Sequence, residues 1–314
     1  MRIIRRQTYD LILGADLHIR EDTPVCRTDD YLDAQFSKMD FIQELCKTSN
    51  CPFVVAGDIF DHWKPSPYLL SRCLELLPER MICVAGQHDM VNHNTLEMAK
   101  TGLNTLVQAG RVLILEQGRS SVVSQRGAVY GYSYGEKPAG QVLQINPKLR
   151  NILLLHRLVC QSTQPWPDAN ADQAASLLRT FPSFDLIVTG DNHQQFAVEH
   201  KGRWLVNPGS MMRMTTEQED HEPAVYGWKA EDNSIERILL PIKQGVISKT
   251  HIGKEKKVDR DVRMEAYIKR AKRQYESKLS FITNLELYIK NNGVESDVSD
   301  LIWKAVEGEL NEKQ

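Results

Sequence analysis

Five short apolar runs recur along the chain, and each is cut off by a polar residue able to bind a metal. Residues 9–15 (YDLILGA) stop at Asp16, 53–56 (FVVA) at Gly57-Asp58, and 81–85 (MICVA) at Gly86. Residues 151–155 (NILLL) stop at His156, and 185–189 (DLIVT) at Gly190-Asp191. Continuous apolar runs of this length, closed by glycine and polar residues, suit strands covered on both faces. Between the first three lie helical patterns. Residues 33–46 space Phe36, Met39, Phe41, Ile42 and Leu45 at near-helical intervals, and residues 68–77 do the same with Leu69, Leu70, Cys73, Leu74 and Leu77. Strand–helix alternation predicts crossover connections and a parallel sheet core. In such sheets ligand chemistry gathers at the carboxyl ends of the strands, where all five motifs fall.

From 112 to 134 and from 196 to 242 the pattern changes to short β-like pieces: VLILE, SVVS and AVYGYS, then FAVEH, RWLVN, AVYGWKA and IERILLPI. These predict hairpins completing a second sheet. The expected fold class is therefore α/β, an α+β sandwich of two sheets flanked by helices, with a C-terminal helical extension. The catalytic domain is placed at residues 1–245 and a helical module at 246–314. In the module, residues 249–278 carry eleven Lys/Arg against five Asp/Glu. Apolar positions from Val262 to Ile289 keep near-helical spacing until Asn291-Asn292-Gly293, a helix stop, and a last amphipathic helix is expected over about 297–310.

Composition adds limits. The chain has 314 residues, 41% apolar and 25% charged, and a net charge of −2, so nothing in its overall charge draws it to nucleic acid. Binding to DNA would need local basic patches, bound cations or a partner. Six cysteines without a Cys-x-x-Cys pair, no signal-like start and no membrane-length apolar segment read as a reduced, cytoplasmic protein with no membrane association.

The strand-terminal residues carry the candidate chemistry. Asp16-x-His18 on an extended backbone would point both side chains the same way, to grip one cation. Asp58, on the turn after the second strand, could bridge two cations ~3.5–4 Å apart. His193 would complete the first site; Gln87, His156 and Asp191 would complete the second. Asp61 is read as a support for a histidine ligand or for the turn itself. His88 is assigned as a catalytic acid or transition-state contact, and Asp89 as its orienting partner, a role compatible with capping the stretch after Val91. Arg20, Lys64, Arg157 and Arg213 lie near the motif loops and could contact phosphate, although solvated surface charge explains each alone. Gly-Asp is a common turn, and a strand-end histidine is as often a core residue as a ligand. The conjunction decides: four of nine histidines fall in these slots, in order.

At these residues the chain resembles the calcineurin-like metallophosphoesterases. Within them it looks most like the bacterial and phage branch of the Mre11/SbcD nucleases. The resemblance covers roughly residues 8–245 and rests on Ala15-Asp16-Leu17-His18, Val55-Ala56-Gly57-Asp58-Ile59-Phe60-Asp61, Val84-Ala85-Gly86-Gln87-His88-Asp89, Gly190-Asp191-Asn192-His193 and Asn207-Pro208-Gly209-Ser210. It implies a DNA nuclease in which hydroxide held between two divalent cations attacks phosphorus. It also implies a Rad50/SbcC-type, SMC-like ATPase partner gripped by the basic tail from about Glu255 to Ile289, for which a helical cap packed on the catalytic domain is an equal alternative, and a homodimer formed through the helices after the first two motifs. Gln87 stands where the pattern has asparagine, and Asp191 where it has histidine. Three carboxylates facing two cations favour Mn²⁺ or Mg²⁺ over Zn²⁺. Two alternatives stay open: a metallophosphoesterase for a small phosphodiester, nucleotide or phosphoprotein, and a non-catalytic DNA- or partner-binding scaffold with a degenerate second site.

Overall fold

A computed structural model describes residues 8–123, 126–138, 145–166, 168–250, 289, 298–299 and 303–304. The chain divides into two units, Met1–Lys249 and Thr250–Gln314. The helices expected over 262–289 and 297–310 lie almost wholly outside the described residues. Among those described, no helix is long and apolar enough to cross a membrane.

The strands of the first unit are β1 (Leu11–Gly14), β2 (Phe53–Val55), β3 (Met81–Cys83), β4 (Val112–Ile114), β5 (Ser120–Val122), β6 (Gly127–Tyr132), β7 (Arg150–His156), β8 (Val159–Cys160), β9 (Asp172–Gln173), β10 (Leu186–Gly190), β11 (Phe196–His200), β12 (Arg203–Asn207), β13 (Ala224–Lys229) and β14 (Ser234–Leu239). The helices are α1 (Tyr31–Ser49), α2 (Pro67–Leu76), α3 (Gly102–Gln108) and α4 (Ala174–Thr180). One six-stranded sheet runs β14-β13-β1-β2-β3-β4, the other β11-β12-β10-β7-β6-β5. The expected fold class, two mixed sheets flanked by helices, is what the chain adopts.

The apolar runs lack polar alternation because both faces of the sheets are covered. In β1, Ile12 packs with Phe53, Met39, Ile42 and Cys73 under the helices, whereas Leu11 and Leu13 face the other sheet beside Leu154, Val188 and Trp228. Leu153, Ile187 and Leu205 turn to the outer side against Leu177, Leu178 and Phe184. Layers of helix, sheet, sheet and helix result. Local signals agree with this: Asp30 caps α1 by accepting from the Asp33 amide at 2.9 Å, and Ser66 with Pro67 starts α2. The six cysteines are all buried thiols.

Two expectations are corrected. β4, β13 and β14, assigned by their pattern to the second sheet, extend the first. β4 follows α3, a helix too short to leave a periodic signature, which makes a crossover and lays β4 parallel to β3. β13 returns antiparallel to β1 so that Tyr226 and Trp228 enter the layer between the sheets. Conversely, β7 and β10 belong to the second sheet. The five motifs therefore come from two sheets whose parallel strands end at the same edge.

Trp228 is fully buried and its indole N–H donates to Asn233 Oδ1 at 2.8 Å. Trp228→Ala should cost about 3–5 kcal/mol of unfolding free energy. A urea midpoint unchanged from the parent would contradict this placement of the inter-sheet core.

Candidate metal centre

The loops that follow the strands are tied together before any side chain is considered. The amides of Asp16, His18 and Ile19 donate to the carbonyls of Gly57, Asp58 and Ile59 at 3.2, 3.0 and 2.9 Å. Asp16, His18, Asp58 and Asp191 all adopt positive φ (47°, 43°, 50° and 77°). Asp16-x-His18 is thus not an extended pair, as its spacing suggested. Two left-handed residues bend the chain, and the bend rather than strand alternation aims both side chains inward. Such conformations cost energy unless their surroundings enforce them, and they cluster at functional sites. Gly57 and Gly86 permit the close approach. A Cβ on Gly57, at φ +86°, would lie 2.2 Å from His156 Nδ1; one on Gly86 would lie 2.0 Å from Asp58 Oδ1.

Among the described residues, three sets of side chains converge closely enough to hold a metal ion: Asp16, His18 and His193; His18, Asp58 and His88; and Asp16, Asp58 and His156. Asp16 and Asp58 each belong to two of them. Asp58 Oδ1 accepts from the His88 amide at 2.9 Å, whereas Oδ2 lies 3.6 Å from His18 Nε2 and 3.5 Å from His156 Nε2. Asp58 Oδ2 and Asp16 Oδ2 are buried and have no hydrogen-bond partner. A buried carboxylate oxygen left without a partner is costly, and a cation is the natural remedy. The donor set of two carboxylates and three or four imidazoles suits divalent ions.

The histidines are oriented from behind. His156 Nδ1 donates to the Ala56 carbonyl at 2.6 Å, which turns Nε2 into the site. His18 Nδ1 faces Asp61 Oδ1 at 3.2 Å, and Asp61 in turn holds Arg20 at 3.1 Å. His18 Nε2 and His193 Nε2 meet at 3.1 Å. The His88 ring contacts the Asp61 carbonyl through Nδ1 at 2.8 Å, leaving Nε2 free. Gln87 Oε1 sits 2.6 Å from His156 Nε2, and its amide donates to Asp191 Oδ1 at 2.9 Å. Gln87 thus stands beside His156 and is bonded to Asp191, which belongs to none of the three converging sets.

Asp89 does not orient His88. Its carboxylate accepts from the amides of Gly86, Ile59 and Phe60 at 2.9, 3.2 and 3.1 Å. It clamps the second motif loop to the third, and it caps its own turn, Gln87–Asp89, rather than the stretch after Val91. Arg213 is also corrected: it is buried, and its guanidinium donates to the carbonyls of Glu219 and Lys243. Arg157 is paired with Asp172, and Arg20 with Asp22 as well as Asp61. Of the four basic residues expected near phosphate, only Lys64 is exposed without such a pairing. The sequence reading gave no role to Asn207, which holds the fifth motif loop by donating to the carbonyls of Asn192 and Gln194 at 2.6 Å each. Its signals were its place at the end of an apolar strand and in the Asn207-Pro208-Gly209-Ser210 wording. Nor was the loop of residues 215–222 singled out, because it is polar and aperiodic. With Gln87, His88, Asp191 and His193 it lines a cleft of about 850 Å³.

Electrostatics follow the crowding. Burial raises Asp16 to about 7. Burial alone would also raise Asp58, but the charge of His156, with His18 and His88, holds it below the usual carboxylate range. Burial would lower His156, yet Asp58 and Asp16 bring it up to about 10. Burial and the neighbouring His18 lower His193 to about 4.

A helix-flanked two-sheet sandwich with this cluster at the strand ends defines a metal-binding hydrolase scaffold. Residues 11–226 match the family model described as the calcineurin-like phosphoesterase superfamily domain. The chain belongs to that superfamily, whose members hydrolyse phosphate esters with divalent metal ions. No curated protein sequence matches it. Similar solved structures include an archaeal phosphodiesterase (14% identity, 73% of this chain and 99% of that one, TM-score 0.41). Others are a putative 5'-nucleotidase from Staphylococcus aureus (14%, 76% and 54%, 0.46) and the phosphopantetheinyl hydrolase of Mycobacterium tuberculosis (11%, 73% and 95%, 0.44). The chain thus spans about half the length of the nucleotidase.

In the metal-free protein His156 is protonated below about pH 10 and Asp16 below about pH 7. Cations filling both sites must displace those protons and the one that neighbouring carboxylates favour on His18, so affinity should rise with pH and more protons should be released below pH 7 than above it. Calorimetry in buffers of differing ionisation enthalpy measures the release. A proton count that does not change with pH would contradict the assignment.

Proposed function

We propose that this chain is a two-metal phosphodiesterase acting on nucleotidyl phosphodiesters, with Mn²⁺ the favoured ion. The observation that carries this reading is Asp58 Oδ2, buried, without a hydrogen-bond partner, and set between His18 and His156. Asp16, His18 and His193 would hold one ion; Asp58 would be shared; His156 would hold the other, with Gln87 and Asp191 beside it. Divalent ions there supply Lewis-acid neutralisation of phosphate oxygens and an activated water. The chain's own contribution is positional. The Ala56 carbonyl fixes His156, Asp61 backs His18, and the Asp61 carbonyl fixes His88 through Nδ1, which leaves Nε2 to hand a proton to the leaving oxygen.

DNA is the first substrate reading. It is supported by the motif wording Gly57-Asp58-Ile59-Phe60-Asp61 and by the basic composition of residues 249–278. It carries with it the proposed ATPase partner and homodimer. The second reading is a small nucleotide diester. It is favoured by the cleft, whose border carries Glu217, Asp220 and Glu222 and whose one described arginine or lysine, Arg237, is paired with Glu222. A continuous polyanion is repelled by such a border.

Mn²⁺-dependent rates on linear duplex DNA, single-stranded DNA and bis-p-nitrophenyl phosphate test the reading. Hydrolysis of at least one is expected, and none by a metal-loaded protein would favour the scaffold alternative. His88→Asn should lower kcat by about 10²–10⁴-fold while keeping bound metal, the usual worth of a general acid. Loss of the metals together with activity would instead make His88 a ligand. Asp191→Ala should lower Mn²⁺ stoichiometry; unchanged stoichiometry and activity would remove Asp191 from the metal site.

A further inference from the structure

Trp166 is 53% exposed, although indole is among the costliest side chains to leave in water. Described residues around it are tied to one another. Gln164 clamps the segment by donating to the Ala171 carbonyl at 3.0 Å and accepting from the Ala171 amide at 2.9 Å, and the Ala169 amide donates to the Trp166 carbonyl at 3.2 Å. The loop joins β8 to β9, two short strands paired with each other, and β8 begins three residues after His156. Trp166 lines the same cleft as His88, Asp191 and His193. Its volume of about 850 Å³ falls within the ~300–1,000 Å³ of small-molecule sites.

The other lining residues narrow the occupant. Glu217, Asp220 and Glu222 are exposed carboxylates, and they disfavour a second phosphate there. Glu222 is paired with Arg237, but Glu217 and Asp220 are carboxylate acceptors that suit a neutral planar group bearing N–H donors. A nucleobase meets both demands, because it stacks on an aromatic face and carries exocyclic amines. We infer that Trp166 is a specificity-determining platform on which the base of a nucleotidyl phosphodiester stacks while its phosphate lies at the metal centre. The inference deepens the phosphodiesterase reading above and rests on it. The base has two chemical sources, a free small nucleotide and the terminal nucleotide of a strand, and both present the same face to the indole.

The test is calorimetric binding of adenosine 5'-monophosphate and of ribose 5-phosphate to the Mn²⁺-loaded full chain. The parent should bind the nucleotide roughly 5- to 150-fold more tightly than the sugar phosphate, the worth of ~1–3 kcal/mol of stacking. Trp166→Ala should erase that ratio, and Trp166→Phe should keep most of it. Equal binding of the two ligands by the parent, or an equal loss for both in Trp166→Ala while Trp166→Phe behaves as the parent, overturns the platform. Bis-p-nitrophenyl phosphate separates this failure from that of the underlying reading. Hydrolysis without base preference sinks the platform alone, whereas no hydrolysis of any diester sinks the phosphodiesterase. Comparing kcat/KM for a dinucleotide and a single-stranded oligonucleotide assigns the source of the base.

Discussion

Asp16 and Asp58 are buried at the shared edge of two sheets, each with one carboxylate oxygen that no hydrogen bond reaches. Two such groups close together are mutually repulsive, and burial raises the cost of charging either. The surroundings answer with imidazoles: His18 and His156 flank Asp58, and the charge of His156 keeps that carboxylate ionised at neutral pH. The metal-free arrangement is a substitute for the one it is built to hold. His156 Nε2 stands 2.6 Å from Gln87 Oε1, and loss of the proton that Asp58 and Asp16 favour on His156 would free both atoms to face a cation.

The scaffold around this cluster is largely backbone. Loops after β1 and β2 are hydrogen-bonded to one another, Asp89 clamps the second loop to the third, and Asn207 holds the fifth. The Asp191 amide donates to Asp16 Oδ1 at 3.0 Å, so the last motif is fastened to the first across the two sheets. Asp16, His18, Asp58 and Asp191 sit at positive φ, which such cross-bracing sustains.

Much of this was legible before any coordinates. Strands buried on both faces announce themselves as unbroken apolar runs, so β1, β2, β3, β7 and β10 and their terminal polar residues were readable. Sheet membership was not. The strand VLILE looks the same in either sheet, and the short helix α3 that sets its direction has no visible period. The site was legible as a set of residues and not as a geometry. Left-handed backbone at Asp16 and His18 leaves no trace in spacing. Asp89 looks like a partner for His88 because the two are adjacent, yet only the fold brings three backbone amides to it. Basic residues near motif loops read as phosphate contacts until Asp22, Asp61 and Asp172 are seen to claim Arg20 and Arg157.

The central claim is that Asp58 Oδ2 is the oxygen two cations share. Crystals grown with Mn²⁺ and measured for anomalous scattering address it directly. The account predicts two peaks flanking that oxygen, one toward His18 and His193 and the other toward His156. A map without anomalous density beside Asp58, from crystals in which manganese is bound elsewhere, would contradict it.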